Sequence, residues 1–217
     1  MDDKIKSWTI KSLLTFRTGY DKMLISAKQL KDADSSNALE ILMQTPIVND
    51  VNDKFVYNNA EPYLLSIFFQ ENFGMNIADF INERIFKPLE ILNYTWLRYG
   101  KYCAGATGLY LNHNDFHKIG MLLMNNGCYL DKQIIPKTWI KEMIKPQVAC
   151  PDYYKPERVL PKLMAGYFTW ISRDNIVFRD GSEGQYIICD FNNNRLITIM
   201  AQEKDMAKVN ECLRGLL

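Results

Sequence analysis

The most informative stretch of the sequence is Phe55-Val-Tyr-Asn-Asn-Ala-Glu-Pro-Tyr-Leu-Leu65. Its first half has an aromatic residue before two asparagines, which is typical of an extended turn that leads into a helix. From Asn59 the apolar residues keep a helical period as far as Phe73, and Gly74 is suited to end the helix. Because Tyr57 and Asn59 are two residues apart in extended chain, we expect their side chains to face the same cleft.

Helix start signals recur on both sides of this segment. Thr9 is a good N-cap for a short helix, and Gly19 is suited to end it. Asn76 and Asn112 each precede an aspartate by three positions, a spacing that resembles a capping box. The sequence therefore predicts helices at residues 9–19, 38–43, 59–74, 76–88, 112–127, 136–143 and 205–217.

The pattern changes to a period of two after Pro161. Stretches rich in aromatic and β-branched residues predict antiparallel strands, and the polar residues 192–194 predict a hairpin turn. We therefore predict the α+β class, with an antiparallel sheet covered by helices, in one domain spanning residues 1–217. Residues 1–160 form its helical region and residues 161–217 form the sheet and C-terminal helix. The predicted strands are residues 166–172, 176–179, 185–191 and 196–202.

The amino-acid composition limits which binding partners and which cellular compartment we expect for this chain. The net charge of +1 gives no electrostatic bias toward nucleic acid, and no apolar run approaches the length of a membrane span. The N-terminus lacks the apolar region of a secretory signal, so we expect the chain as given to be cytoplasmic. The five scattered cysteines indicate reduced thiols, with no disulfide framework, metal site or cofactor expected.

Several further motifs occur in an order that resembles a known family. Together with the Tyr-x-Asn segment at Tyr57, they resemble the serine β-lactamase and penicillin-binding-protein family, which includes class C β-lactamases, D-alanyl-D-alanine carboxypeptidases and esterases. The resemblance implies the C-terminal two-thirds of a β-lactamase/transpeptidase-like fold. The further motifs are residues 8–15, 82–89, 104–110, 115–126 and 179–185.

The resemblance also assigns roles to particular residues. In this family a Ser-x-x-Lys helix supplies the nucleophile, and the Tyr-x-Asn tyrosine assists proton transfer, so Tyr57 and Asn59 are the catalytic candidates. The substrate-binding candidates lie where the family has its Lys-Thr-Gly strand motif. There Arg179 can pair with a substrate carboxylate, whereas Asp180 opposes this. These candidates are Arg179, Asp180, Gly181 and Ser182, of which Ser182 is either a replacement hydroxyl or a turn residue.

The nucleophile itself is missing from this sequence, because none of the eight serines is followed by a lysine at the third position. We therefore expect an N-terminally truncated fragment or a pseudoenzyme related to acyl-transferring serine hydrolases. The implied ligands are a β-lactam, an ester or a cell-wall peptide, and related proteins commonly act outside the cytoplasm. The alternative is a non-catalytic binding module for a cell-wall peptide or a protein partner. A complementing N-terminal chain or a second copy is a further hypothesis, since exposed sheet edges favour pairing.

Two features of the sequence, the Tyr-x-Asn segment and a pair of histidines, also have simpler structural interpretations. Tyr57 and Asn59 are equally well explained as an aromatic strand end and a helix N-cap. His113 and His117 are four residues apart, but the glutamate of a zinc-protease motif is absent between them. We therefore interpret the two histidines as ordinary helix-start residues.

Overall fold

A computed structural model describes residues 3–26, 37–152 and 159–217 of the chain. It combines helices with antiparallel strands, which confirms the predicted α+β class. The chain divides into two units, Met1–Leu111 and Asn112–Leu217. The single domain predicted for residues 1–217 stays a prediction.

The first unit is mainly helical. Two short antiparallel pairings follow its helices: Thr95–Trp96 pairs with Leu109–Tyr110, and Arg98–Tyr99 pairs with Tyr102–Cys103. A single π-helical turn, Asn82–Phe86, continues directly from the fourth helix. The elements are α1 (Ile10–Leu14), α2 (Ala38–Gln44), α3 (Ala60–Phe73), α4 (Ile77–Ile81), β1 (Thr95–Trp96), β2 (Arg98–Tyr99), β3 (Tyr102–Cys103) and β4 (Leu109–Tyr110).

Local side-chain chemistry sets most of these helix ends. Thr9 and Ser12 form a reciprocal capping box, and Gly74 ends α3 in the left-handed conformation with φ 67°. The Asn76 side chain caps α4 through the Ala78 N–H. The predicted end of the first helix at Gly19 was wrong, because α1 stops at Leu14.

The early end of α1 has a local cause. The Thr15 hydroxyl donates to the Lys11 carbonyl at 2.8 Å, and Phe16 then adopts a left-handed φ of 55°. Side-chain bonding of this kind competes with the helical backbone pattern. Gly19 instead has φ 94° where the chain passes Asn49, and a Cβ there would lie 2.5 Å from the Asn49 carbonyl oxygen.

A core of aromatic and aliphatic residues packs around α3 in this unit. Tyr63 is 1% exposed, and its hydroxyl donates to the Tyr99 carbonyl at 3.1 Å. The Cys103 thiol in β3 has no exposed surface. Gly105 lies so close to α3 that a Cβ would meet the Pro62 carbonyl oxygen at 2.4 Å. The buried cluster includes Tyr20, Leu24, Ile25, Ala38, Leu42, Ile47, Ala60, Tyr63, Tyr99, Tyr102 and Ala104.

The second unit is built on a six-stranded antiparallel sheet with the order β12-β11-β10-β9-β8-β7. The predicted hairpin is confirmed, since Asp190 pairs with Arg195 across the turn. β5 and β6 form a separate hairpin. The elements are α5 (His113–Met124), β5 (Cys128–Tyr129), β6 (Lys132–Gln133), α6 (Lys137–Met143), β7 (Val148–Ala149), β8 (Met164–Ala165), β9 (Trp170–Ile171), β10 (Val177–Gly181), β11 (Gln185–Asp190), β12 (Arg195–Met200) and α7 (Met206–Leu216).

Two helices of this unit, α5 and α7, contact β12. On one face α5 comes close to β12, since a Cβ on Gly120 would lie 3.0 Å from Leu196 and 3.2 Å from Thr198. The C-terminal helix α7 is tied to β12 by a 2.7 Å hydrogen bond from Arg195 to the Leu216 carbonyl. The Cys189 thiol in β11 has no exposed surface. Among the helices in the described ranges, none combines the length and apolar character needed to cross a membrane.

Candidate functional site

Tyr57 lies in the segment that leads into α3, and its ring packs against aromatic neighbours. Its ring centroid is 5.1 Å from that of Phe16, which lies 5.6 Å from that of Phe55. The Phe16 carbonyl also accepts the Val56 N–H at 2.9 Å. A left-handed φ at a large residue such as Phe16 persists only where its surroundings hold it. The segment that carries Tyr57 is therefore held in place by ring packing against Phe16 and by the backbone hydrogen bond from Val56 to Phe16.

Asn58, the middle residue of the Tyr-x-Asn segment, is the main structural anchor. It is 1% exposed, and its Oδ1 accepts the N–H groups of Leu24 at 2.9 Å and Ala60 at 3.0 Å. Its Nδ2 donates to the Lys22 carbonyl at 3.0 Å. Asn58 thus joins the start of α3 to the preceding loop through all three bonds.

Asn59 is held less tightly. Its Nδ2 donates to the Ile25 carbonyl at 3.2 Å, and its side chain makes no capping bond to α3. Asn59 does occupy the predicted N-cap position of α3, but the Ala60 N–H donates to Asn58 rather than to the Asn59 side chain. The Oδ1 of half-buried Asn59 has no hydrogen-bond partner within the described parts of the chain. It is an acceptor that a ligand N–H could use.

Glu61 places a carboxyl group inside this unit, two residues after Asn59. It has no exposed surface, and its Oε1 accepts the Thr18 hydroxyl at 2.6 Å. Its Oε2 is buried without a hydrogen-bond partner among the described residues. Burial raises the pKa of Glu61 from 4.5 to about 8, although the Thr18 bond acts in the opposite direction. Glu61 is therefore mostly protonated at neutral pH.

Arg179 is a half-buried cation in the second unit. Its Nη2 lies 3.4 Å from the Thr169 hydroxyl and 3.3 Å from the Met143 sulfur. Its Nε is buried without a partner, and no carboxylate pairs with its guanidinium among the described residues. Burial lowers the pKa of Arg179, because desolvation disfavours its charged form. A ligand anion would supply the missing counter-charge.

Asp180 follows Arg179 on β10 but makes different contacts. Its Oδ2 lies 2.8 Å from the Lys162 ammonium, and its Oδ1 accepts the Trp170 indole N–H at 2.7 Å. Lys162 is only 7% exposed and lies 4.1 Å from the Trp170 ring centroid. Successive strand residues point to opposite faces, so Asp180 projects away from the Arg179 side of the sheet. The expectation that Asp180 opposes anion binding at Arg179 does not follow from this geometry.

Gly181 and Ser182 lie at the tight turn between β10 and β11. Gly181 pairs with Gln185, and a Cβ on Gly181 would lie 2.6 Å from the Gln185 side-chain oxygen. Ser182 is exposed in the turn that follows. This placement agrees with the interpretation of Ser182 as a turn residue, while a role for its hydroxyl stays a prediction.

The structure groups the predicted site residues by unit. Tyr57 and Asn59 lie together in Met1–Leu111, and Arg179 to Ser182 lie together in Asn112–Leu217. Sequence reasoning missed the burial of Glu61 and Lys162, since isolated charged residues usually lie at the surface. Asn58 could have been found, because an asparagine just before a helix is a capping signal.

The two histidines on α5 both contact β12. His117 Nδ1 lies 2.9 Å from the Thr198 hydroxyl, and His113 Nε2 lies 3.3 Å from the Thr198 carbonyl oxygen. No group of three or more His, Cys, Asp or Glu residues within 3–26, 37–152 and 159–217 could hold a metal ion. The contacts to Thr198 agree with a structural interpretation of the pair.

Comparison with known proteins identifies the fold. No family model and no curated protein matches the sequence. A protein assigned as a 6-aminohexanoate-dimer hydrolase from Bacillus anthracis is similar in structure, with a TM-score of 0.77 and 19% identity over 95% of this chain. A penicillin-binding protein from Bacillus halodurans has a TM-score of 0.75 and 18% identity over 100% of this chain. Simvastatin synthase (LovD) from Aspergillus terreus has a TM-score of 0.70 and 16% identity over 95% of this chain.

This chain is shorter than each of these proteins. It spans 60% of the Bacillus anthracis protein, 75% of the Bacillus halodurans protein and 65% of simvastatin synthase. The similarity nevertheless extends over nearly all of the present chain. The chain therefore has the fold of the serine β-lactamase and penicillin-binding-protein superfamily.

Proposed function

We propose that the chain belongs to the acyl-transferring serine hydrolases of this superfamily and that the 217 residues alone do not turn over an amide or ester. The observation that carries this proposal is the lack of Ser-x-x-Lys beside an organised Tyr-x-Asn segment at Tyr57. Two serines in the first unit are unsuitable as replacements: Ser12 has no exposed surface and Ser66 is 1% exposed. Without a nucleophile, only binding and weak electrostatic stabilisation remain.

The proposed roles of the site residues follow from their chemistry. Tyr57 would exchange a proton with the reacting group, and the Asn59 Oδ1 would accept a substrate N–H. Arg179 would pair with the carboxylate of a β-lactam or a cell-wall peptide. Lys162 neutralises Asp180, so Arg179, Asp180 and Lys162 together have a net positive charge.

Intact-mass spectrometry tests the lack of turnover. After incubation with benzylpenicillin, and separately with p-nitrophenyl acetate, the protein should keep its original mass. The exposed Cys212 thiol is a site of unspecific acylation by the ester, so Cys212→Ser is measured in parallel. A stoichiometric adduct that persists in Cys212→Ser and is lost in Tyr57→Phe would contradict the proposal.

A binding module without catalysis is the second candidate function. It is favoured by the Arg179 guanidinium, which has no carboxylate partner among the described residues. Calorimetric titration with a cell-wall peptide that has a free C-terminal carboxylate should give saturable heat. The same peptide as its amide should bind more weakly, and Tyr57→Ala tests whether the first unit contributes. No heat with either peptide would rule out this candidate.

A further inference from the structure

Lys162 is a buried cation that lies just before strand β8. It is 7% exposed, and its ammonium lies 2.8 Å from Asp180 Oδ2 and 4.1 Å from the Trp170 ring centroid. The next residue, Leu163, donates its N–H to the Ile171 carbonyl at 3.0 Å, which fixes the backbone beside Lys162 against β9. Lysine is almost never buried this deeply unless its charge is paired. The pairing with Asp180 is therefore the contact that explains where Lys162 lies.

Asp180 has both carboxylate oxygens engaged on this side of the sheet. Oδ2 pairs with Lys162, and Oδ1 accepts the Trp170 indole N–H at 2.7 Å. Trp170 itself lies beside β10 because it pairs with Phe178 across the β9–β10 ladder. These contacts hold the carboxylate on the face of β10 opposite to the Arg179 side chain.

The charges at this end of β10 determine which ligands Arg179 can hold. Arg179 by itself favours an anion, but its neighbour Asp180 has the opposite charge. Lys162 cancels the Asp180 charge and leaves that of Arg179. An anion held by Arg179 lies about 10 Å from Asp180, so at an effective dielectric constant of about 20–40 an unpaired Asp180 weakens its binding about four- to fifteen-fold.

We propose that Lys162 makes the Arg179 site selective for anionic ligands, namely the C-terminal carboxylate of a peptide, by neutralising Asp180. This inference rests on the proposed pairing of Arg179 with a ligand carboxylate. Lys162 acts through Asp180 rather than by contact with the ligand, so it is a positioning residue. Its effect should therefore appear in the affinity for a charged ligand and not in the affinity for the neutral form of the same ligand.

Calorimetric titration of the full chain with diacetyl-lysyl-D-alanyl-D-alanine, and with its C-terminal amide, tests this proposal. Lys162→Met should weaken binding of the carboxylate peptide about four- to fifteen-fold. Asp180→Asn should tighten it by a similar factor, because the Lys162 charge then adds to that of Arg179. The double variant should lie within about two-fold of wild type, because its net charge is the same as that of wild type. None of the variants should change the affinity for the amide.

The opposite signs of the two single variants separate this role from a structural one, since loss of the ion pair alone would weaken binding in both. Lys118→Met is the matched control, because it breaks another partly buried ion pair of the same unit, with Asp115 at 2.9 Å, and removes the same charge. It should stay within about two-fold of wild type. In 1 M sodium chloride the screening length is about 3 Å, so the differences between the Lys162 and Asp180 variants should shrink.

Circular dichroism verifies that each variant is folded, and if Lys162→Met is not, the direction of the Asp180→Asn change decides alone. Weaker binding of the carboxylate peptide by Asp180→Asn would overturn the inference, and so would equal changes for the carboxylate peptide and its amide. Either result leaves the Arg179 site itself intact. If wild type binds neither peptide, or binds both equally, the proposed pairing of Arg179 with a carboxylate is overturned, and the inference with it.

Discussion

Replacing Glu61 with glutamine removes an ionisable group from the core of the first unit. Burial raises the pKa of Glu61 from 4.5 to about 8 in the folded protein. The unfolded chain restores the ordinary value, so between these two pH values the folded state holds a proton that the unfolded state releases. Stability is therefore fully present below pH 4.5 and is lost as the pH rises toward 8.

The size of the effect follows from the two pKa values. Each pH unit in this window costs about 1.4 kcal/mol, so the loss is about 3 kcal/mol by pH 7 and approaches about 5 kcal/mol above pH 8. Glutamine cannot ionise, and its Oε1 can still accept the Thr18 hydroxyl. Its amide nitrogen would replace the unpartnered Oε2, which costs about 1–3 kcal/mol at every pH.

Urea unfolding followed by circular dichroism at pH 5, 6, 7 and 8 measures this balance. Glu61→Gln should be less stable than wild type at pH 5 and more stable at pH 8, with a relative change of about 3–4 kcal/mol. The exposed Glu211 provides the control, since Glu211→Gln should follow the wild-type profile. Parallel profiles for wild type and Glu61→Gln would refute a buried, protonated Glu61.

Three further tests, each by urea unfolding at pH 7, address contacts in and around the candidate site. Asn58→Ala should cost about 2–4 kcal/mol because it leaves the buried Leu24 N–H unpaired, whereas Asn59→Ala should cost about 1 kcal/mol or less; equal losses would contradict the division of roles. Lys162→Met should cost about 3–5 kcal/mol by leaving Asp180 without its cation, and adding Asp180→Asn should recover part of this loss. No recovery would argue against the ion pair. Gly105→Ala should cost at least about 2 kcal/mol, since the new Cβ would lie 2.4 Å from the Pro62 carbonyl oxygen at a residue with φ 71°; a neutral substitution would mean that the turn can move away from α3.

Local chemistry explains why parts of the fold were predictable from sequence. The helix caps at Thr9, Asn76 and Asn112 depend on residues a few positions apart. The β11–β12 hairpin combines a period of two with a polar turn. The two-residue strands β7 and β8 were missed, because a segment that short has no periodicity to detect.

The candidate site was less predictable, because its contacts join residues distant in sequence. Glu61 meets Thr18 across 43 positions, and Asn58 meets Lys22 across 36. The pairing of Asp180 with Lys162 depends on the sheet bringing separate segments together. Sequence spacing identified Tyr57 and Asn59 as candidates, but only the folded chain reveals that the intervening Asn58 is the buried anchor.

Each unit contains a buried thiol, Cys103 in the first and Cys189 in the second, whose reaction can report local unfolding of that unit. Burial raises the pKa of Cys103 and raises that of Cys189 to about 12, so neither sulfur reacts while it is covered. Labelling by a disulfide reagent must then wait for a local opening, whose frequency the reaction rate records without denaturant. The exposed Cys212 supplies the unprotected rate on the same molecule. Peptide mapping of a single labelling time course can thus measure local opening of the first unit, at Cys103, separately from that of the second unit, at Cys189.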